Sequence, residues 1–189
     1  RAGVSSATIS RVLNNSGYVK EETRQKVLKA VDEYNYVPSA IARSLSIQDS
    51  LSVGTIIPDI ENEFFSKVIS GISEVAETYH YNIVFLGTNE TVEKEPDFLK
   101  IVESQRLKGV IITPISETDT VTRDYLLRLE ESGIPVVLVD RDVKGAQFDG
   151  VFVDNQRGSY DGVMELIKAG HERIAIITGP ETSKPGKDR

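Results

Sequence analysis

After residue 50 the chain alternates between two hydrophobic periods, and few architectures accommodate that. Short runs rich in β-branched residues at 51–57, 81–86, 109–113, 135–139, 150–153 and 173–177 read as strands, because near-continuous apolar runs suit strands covered on both faces. Alternating with them, 63–79, 91–105, 119–132 and 157–169 read as amphipathic helices. This order predicts a doubly wound parallel α/β sheet with right-handed crossovers. Such sheets bind ligands at the carboxyl ends of their strands, which directs attention to residues 58–65, 87–89, 113–114, 140–141 and 154–155.

The first fifty residues follow a different grammar. From Val4 to Asn14 a short helix is expected, with Ser5 as N-cap and Val4, Ile9, Val12 and Leu13 on or near one face. Asn14-Asn15-Ser16-Gly17 breaks it, and a second helix follows over 20–34. That helix carries Val27, Leu28, Val31 and Tyr34 at helical spacing, and Glu21 and Glu22 where the helix dipole favours them. Asn35-Tyr36-Val37-Pro38 ends it. Residues 39–46 are good helix formers but too few to make a stable helix alone. Residues 1–50 hold seven basic and five acidic groups, net +2, while the remaining 139 carry net −9. A mildly basic module joined to an acidic one suggests a polyanionic partner for the first part only.

Composition removes several classes. There is no cysteine, and His80 and His171 are the only histidines, which excludes a disulfide scaffold, a thiol nucleophile and a His-rich metal site. No dinucleotide fingerprint, nucleophile elbow or zincin helix is present. Gly179 to Asp188 superficially resembles a phosphate loop, but six residues separate its glycines and Asp188 stands where Ser or Thr is needed. No metal or cofactor is therefore expected. No apolar run approaches the ~18–20 residues of a membrane span, and the first six residues lack the apolar core of a signal peptide. The expected location is cytoplasmic. Both ends read as cut, since the chain opens on Arg1 within a turn and stops at Arg189 after one strand of a new α/β unit.

Ala2-Gly3-Val4-Ser5 followed by Thr8-Ile9-Ser10-Arg11-Val12-Leu13-Asn14 is a tight turn feeding a short, polar-faced helix. A major-groove reader needs that form, because its N-terminal side chains must reach base edges. Together with Tyr18-Val19, Glu22-Thr23-Arg24, Val27, Asn35 to Pro38 and Ala42-Arg43-Ser44-Leu45, in this order and spacing, it resembles the DNA-binding head of the LacI/GalR family of bacterial repressors. The resemblance implies that Ser6 and Ala7 sit where the family reads base pairs most variably and Arg11 where it contacts a base. Ser5, Thr8, Ser10, Asn14 and Thr23 then fall at phosphate-facing positions, and Tyr18 at an operator contact. Ser6 and Ala7 are small, so direct readout there is sparse or water-mediated. Residues 38–46 match the family's hinge helix, and Leu45 the position wedged into a minor-groove step, where an apolar side chain unstacks bases and bends the duplex.

The part from Leu51 onward resembles the periplasmic sugar-binding fold that the family uses as its effector sensor. Phe64 and Phe65 look like the paired phenylalanines that flank a sugar ring in ribose-binding relatives, since aromatic faces suit the apolar faces of a sugar. Asp140 and Arg141 would satisfy its hydroxyls, the carboxylate accepting and the guanidinium donating. The resemblance also places Arg189 at an effector-binding arginine and Asp59 at a residue that closes the site. Other readings stay open: a helix start packed on the sheet for the phenylalanines, and a surface ion pair for Asp140 and Arg141. The aromatic pair is also found in a family member that responds to a phosphoprotein.

The expected organisation is a partial helix-turn-helix head at 1–37, a hinge helix and linker at 38–50, the N-terminal subdomain of an effector core at 51–150, and the start of a C-terminal subdomain at 151–189. The expected function is that of a homodimeric, non-enzymatic repressor on a pseudo-palindromic operator, controlled by a sugar effector such as ribose or a related pentose. A sensor of the same fold for another sugar, a nucleoside or a phosphoprotein corepressor is the runner-up, followed by an α/β enzyme.

Overall fold

Ser5, Asn62, Asp119 and Asp154 each open a helix by accepting from a backbone N–H group that the first turn leaves unpaired. The computed structural model describes residues 3–13, 15–34, 36, 50–179 and 184–189. It forms two units, Arg1–Gln48 and Asp49–Arg189.

In the first unit, α1 (Ser6–Leu13) and α2 (Glu21–Glu33) pack together. Ser5 caps α1: its Oγ accepts from the Thr8 N–H at 3.2 Å and its carbonyl from the Ile9 N–H at 3.1 Å. The buried centre is Val12 and Val27. Leu28 and Tyr34, expected on the packed face of the second helix, are instead 41% and 52% exposed. Two helices meeting once bury only a narrow stripe, and Leu28 stands about 100° around the helix from Val27. Arg24 ties the intervening turn to α2 by donating from Nη1 to Asn15 Oδ1 at 3.1 Å.

In the second unit the strands are β1 (Ser52–Ile57), β2 (Asn82–Gly87), β3 (Val110–Ile112), β4 (Val136–Val139) and β5 (Asp149–Val151). All pair in parallel, in the order β2-β1-β3-β4-β5. The helices are α3 (Glu63–Thr78), α4 (Lys94–Ser104), α5 (Thr120–Glu131), α6 (Asn155–Lys168) and the short α7 (Lys184–Asp188). Ile56, Val110, Ile112, Val136 and Leu138 form one core with Leu99 and Val102 of α4 and Tyr125, Leu126 and Leu129 of α5. The α3 helix, which buries Phe65 and Ala76, packs along β2 outside that core, so helices cover both sheet faces. Gly54 permits the close approach of α4: a Cβ there would stand 3.0 Å from Val102 and 3.2 Å from Leu107.

The sixth expected strand, at 173–177, does not form. Those residues are irregular, and Ile176 and Ile177 are exposed. A strand requires a neighbour to take its N–H and C=O groups, and no described strand runs beside this one. The α7 helix was not anticipated. Among the described residues no helix is long and apolar enough to cross a membrane.

Candidate functional site

On α1, Ser6, Ala7 and Arg11 are exposed, while Thr8 and Ser10 are half-buried. Ala7 and Arg11 stand one helical turn apart on one face, the arrangement needed to present adjacent side chains to a groove. Ser5 Oγ also shares a 2.9 Å hydrogen bond with Thr8 Oγ1. A capping hydroxyl accepts with its lone pairs and can still donate its proton outward. Gly17, in the left-handed region at φ +74°, brings the turn close to the Arg11 stem. Tyr18 is 86% exposed and Thr23 half-buried. Asn14 and Leu45, with nearly all of the expected hinge, lie outside the described residues.

At the carboxyl edge of the sheet, loops from separate crossovers are fastened together. Glu90 donates its N–H to Pro58 O at 3.2 Å, and Thr88 donates its N–H to Ile57 O at 2.9 Å. The Glu90 carboxylate receives both Nη atoms of Arg141, at 3.2 and 3.3 Å. Arg141 Nε lies 3.9 Å from Asp140 Oδ2 and has no hydrogen-bond partner among the described residues. Asp140 is strained: it has φ +65°, and the Arg141 N–H closes back on Val139 O at 2.7 Å. Such conformations persist only where surroundings hold them, and they concentrate at binding sites. Burial raises the Asp140 carboxyl above the usual carboxylate range, against the opposing pull of Arg141 and Arg189. Arg189 is anchored by its Nε donating to Asn155 Oδ1 at 2.9 Å. Thus Asp140, Arg141 and Arg189 meet in one electrostatic cluster although 48 positions separate the last two.

The aromatic pair is differently placed. Phe65 is buried, Phe64 is half-exposed, and their rings meet edge to face at 74° with centroids 5.1 Å apart. The two leave no slot for a sugar ring between them; only Phe64 offers a face outward. Asp59 spends one oxygen on its own loop, accepting from the Glu61 N–H at 2.8 Å.

Residues 1–39 match the family model for bacterial regulatory proteins of the lacI family, and residues 50–189 match that for periplasmic binding proteins and the sugar binding domain of the LacI family. The chain belongs to the LacI family. It is 38% identical to the HTH-type transcriptional regulator RegA of Clostridium saccharobutylicum over 93% of its own length and 52% of that protein. It is also 38% identical to the ribose operon repressor of Halalkalibacterium halodurans, over its whole length and 54% of that protein. It thus spans about half the length of these relatives. The lac repressor dimer bound to operator and the anti-inducer ONPF superposes with a TM-score of 0.83 at 26% identity, covering 100% of this chain and 56% of that one.

Within this LacI-family sheet, sequence reasoning missed four residues that tie together the loops at its carboxyl edge: Glu90, Glu95, Glu117 and Lys187. Glu95 is fully buried at the start of α4. Its Oε1 accepts from the Ile115 N–H and its Oε2 from Thr122 Oγ1, both at 2.8 Å, tying α4 to the loop after β3 and to α5. Burial pushes its carboxyl up to about 7 against those two hydrogen bonds. A signal existed, because Glu95 shares the helical face of Leu99 and Val102 at spacings i+4 and i+7, and an acid on an apolar stripe needs an internal partner.

Proposed function

We propose that the protein is a transcriptional repressor which binds a pseudo-palindromic operator as a homodimer and is controlled by a small sugar, ribose or a related pentose, at the carboxyl edge of its sheet. The observation carrying this reading is the convergence of Asp140, Arg141 and Arg189 at that edge in a chain that also holds a capped helix with an exposed polar face. Arg11 reads a base and Ser6 and Ala7 lie against the groove. Ser5, Thr8, Ser10, Asn14 and Thr23 face phosphates, Tyr18 contacts the operator, and Leu45 wedges a minor-groove step. In the sensor, Asp140 accepts from sugar hydroxyls, Arg141 donates from its unpartnered Nε, and Phe64 supplies an apolar face. Phe65 supports Phe64 from beneath, and Asp59 and Arg189 complete the polar shell. This edge forms one wall of the effector cleft. Closure of that cleft changes the spacing of the paired hinges. The relatives are named as regulators, which favours sensing over turnover, and a regulator on DNA works in the cytoplasm.

Ribose rests on a 38% identical relative that RegA equals in identity, so the test addresses the site and the sugar together. In the full-length protein, D-ribose should raise the melting temperature, and Asp140→Ala should abolish that shift while leaving ligand-free melting unchanged. A retained shift in Asp140→Ala places the site elsewhere. Arg11→Ala should cost ~1–3 kcal/mol on an operator selected from a duplex pool and much less on random duplex; equal losses count against the groove assignment. Recovery of unaltered sugar after long incubation excludes the enzyme reading.

A further inference from the structure

We propose that Glu117 is a positioning residue of the effector site, holding α7 in place through Lys187 and thereby holding Arg189 beside Asp140. The proposal rests on the reading that Asp140, Arg141 and Arg189 bind the effector.

Glu117 lies in the loop between β3 and α5, with its side chain 7% exposed. Its Oε1 accepts from Lys187 Nζ at 2.7 Å and from Lys144 Nζ at 3.1 Å, and its backbone carbonyl accepts from the Lys144 N–H at 2.7 Å. One nearly buried carboxylate therefore joins the loop after β3, the loop after β4, and α7. Lys187 and then Lys144 hold its carboxyl below the usual carboxylate range, so it is charged at neutral pH. A carboxylate this enclosed is retained only with paired cations, and losing a partner leaves an uncompensated charge.

The consequence for Arg189 follows from the contacts that α7 makes. Pro185 is buried, the helix packs on α6, Lys187 reaches Glu117 and Arg189 reaches Asn155. Lys184 pairs with Asp188 within the helix and also feels the charges of Glu117 and Asp142. Lys187 is two residues from Arg189, and both border one open groove with Thr178 and Gly186. Releasing Lys187 frees the segment that aims Arg189.

Calorimetry of D-ribose binding to the full-length protein tests this with Glu117→Gln, Lys187→Met, Lys144→Met and the double variants. Glu117→Gln and Lys187→Met should each weaken ribose about tenfold, and the pair together no more than either alone. Lys144→Met should change it less than twofold, because Lys144 is not on α7. Wild-type-like binding by Glu117→Gln, or losses that multiply in the Glu117/Lys187 double variant, overturns the proposal. If the wild type takes no ribose, the effector reading fails separately. Hydrogen exchange at residues 184–189 in ligand-free protein then decides the Glu117 claim: faster exchange in Glu117→Gln and Lys187→Met but not in Lys144→Met supports it, and unchanged exchange sinks it.

Discussion

Glu95 and Asp140 are acids whose surroundings disfavour charge, and for Glu95 the effect is large enough to read in a stability curve. Below pH 4.5 its carboxyl is protonated in both folded and unfolded chains. Between 4.5 and about 7 the unfolded chain releases the proton while the folded one keeps it. Stability therefore falls as pH rises through that window, by about 3 kcal/mol in all, and levels off above it. Glu95→Gln preserves the geometry, since the amide oxygen can accept from Ile115 and the amide nitrogen can donate to a rotated Thr122 hydroxyl. Urea unfolding from pH 5 to 8 should show the wild type losing stability relative to Glu95→Gln; parallel curves would mean the carboxyl titrates normally. Glu117 works in the opposite sense, since a carboxyl held low stabilises at neutral pH and loses that contribution in acid.

Among the elements, α1 depends most on a single side chain. Its eight residues are too few for helix propensity to sustain, and Ser5 supplies the cap. Ser5→Ala should cost ~0.5–2 kcal/mol, seen as faster amide exchange at Thr8 and Ile9 with the sheet unit unaffected. Equal protection in the variant would show that packing of Val12 on α2 suffices. The segment at 173–177 teaches the converse. Its β-branched run satisfies the pattern for a strand, yet pattern states only that a stretch can pair; a ladder also needs a neighbour in register. Leu28 and Tyr34 teach the same about helices, whose periodicity names an apolar face but not how much of it a partner covers.

For the whole molecule, the proposed coupling between sensor and head carries an obligation. If ribose changes operator affinity by a given factor, the operator must change ribose affinity by the same factor, an effect of ~1–3 kcal/mol in such systems. Calorimetry of ribose binding with and without operator should return the factor that operator titrations give with and without ribose. Unequal factors, or none, would separate the two units functionally.

Local pattern in the amino-acid order determined the alternation of strand and helix, the parallel sheet, the Ser5 cap and the edge at which Asp140 and Arg141 emerge. These follow from periods of two and 3.6 residues and from single-residue capping chemistry, all contained in short windows. The family likeness added Arg189. Tertiary structure alone decided which polar groups meet: Arg141 with Glu90 across 51 positions, Thr122 with Glu95 across 27 and Lys187 with Glu117 across 70. It also decided that Phe65 turns inward while Phe64 stays exposed. No local period encodes such pairings, because each depends on where crossovers return the chain and on the burial that makes an unpaired carboxylate too costly to keep.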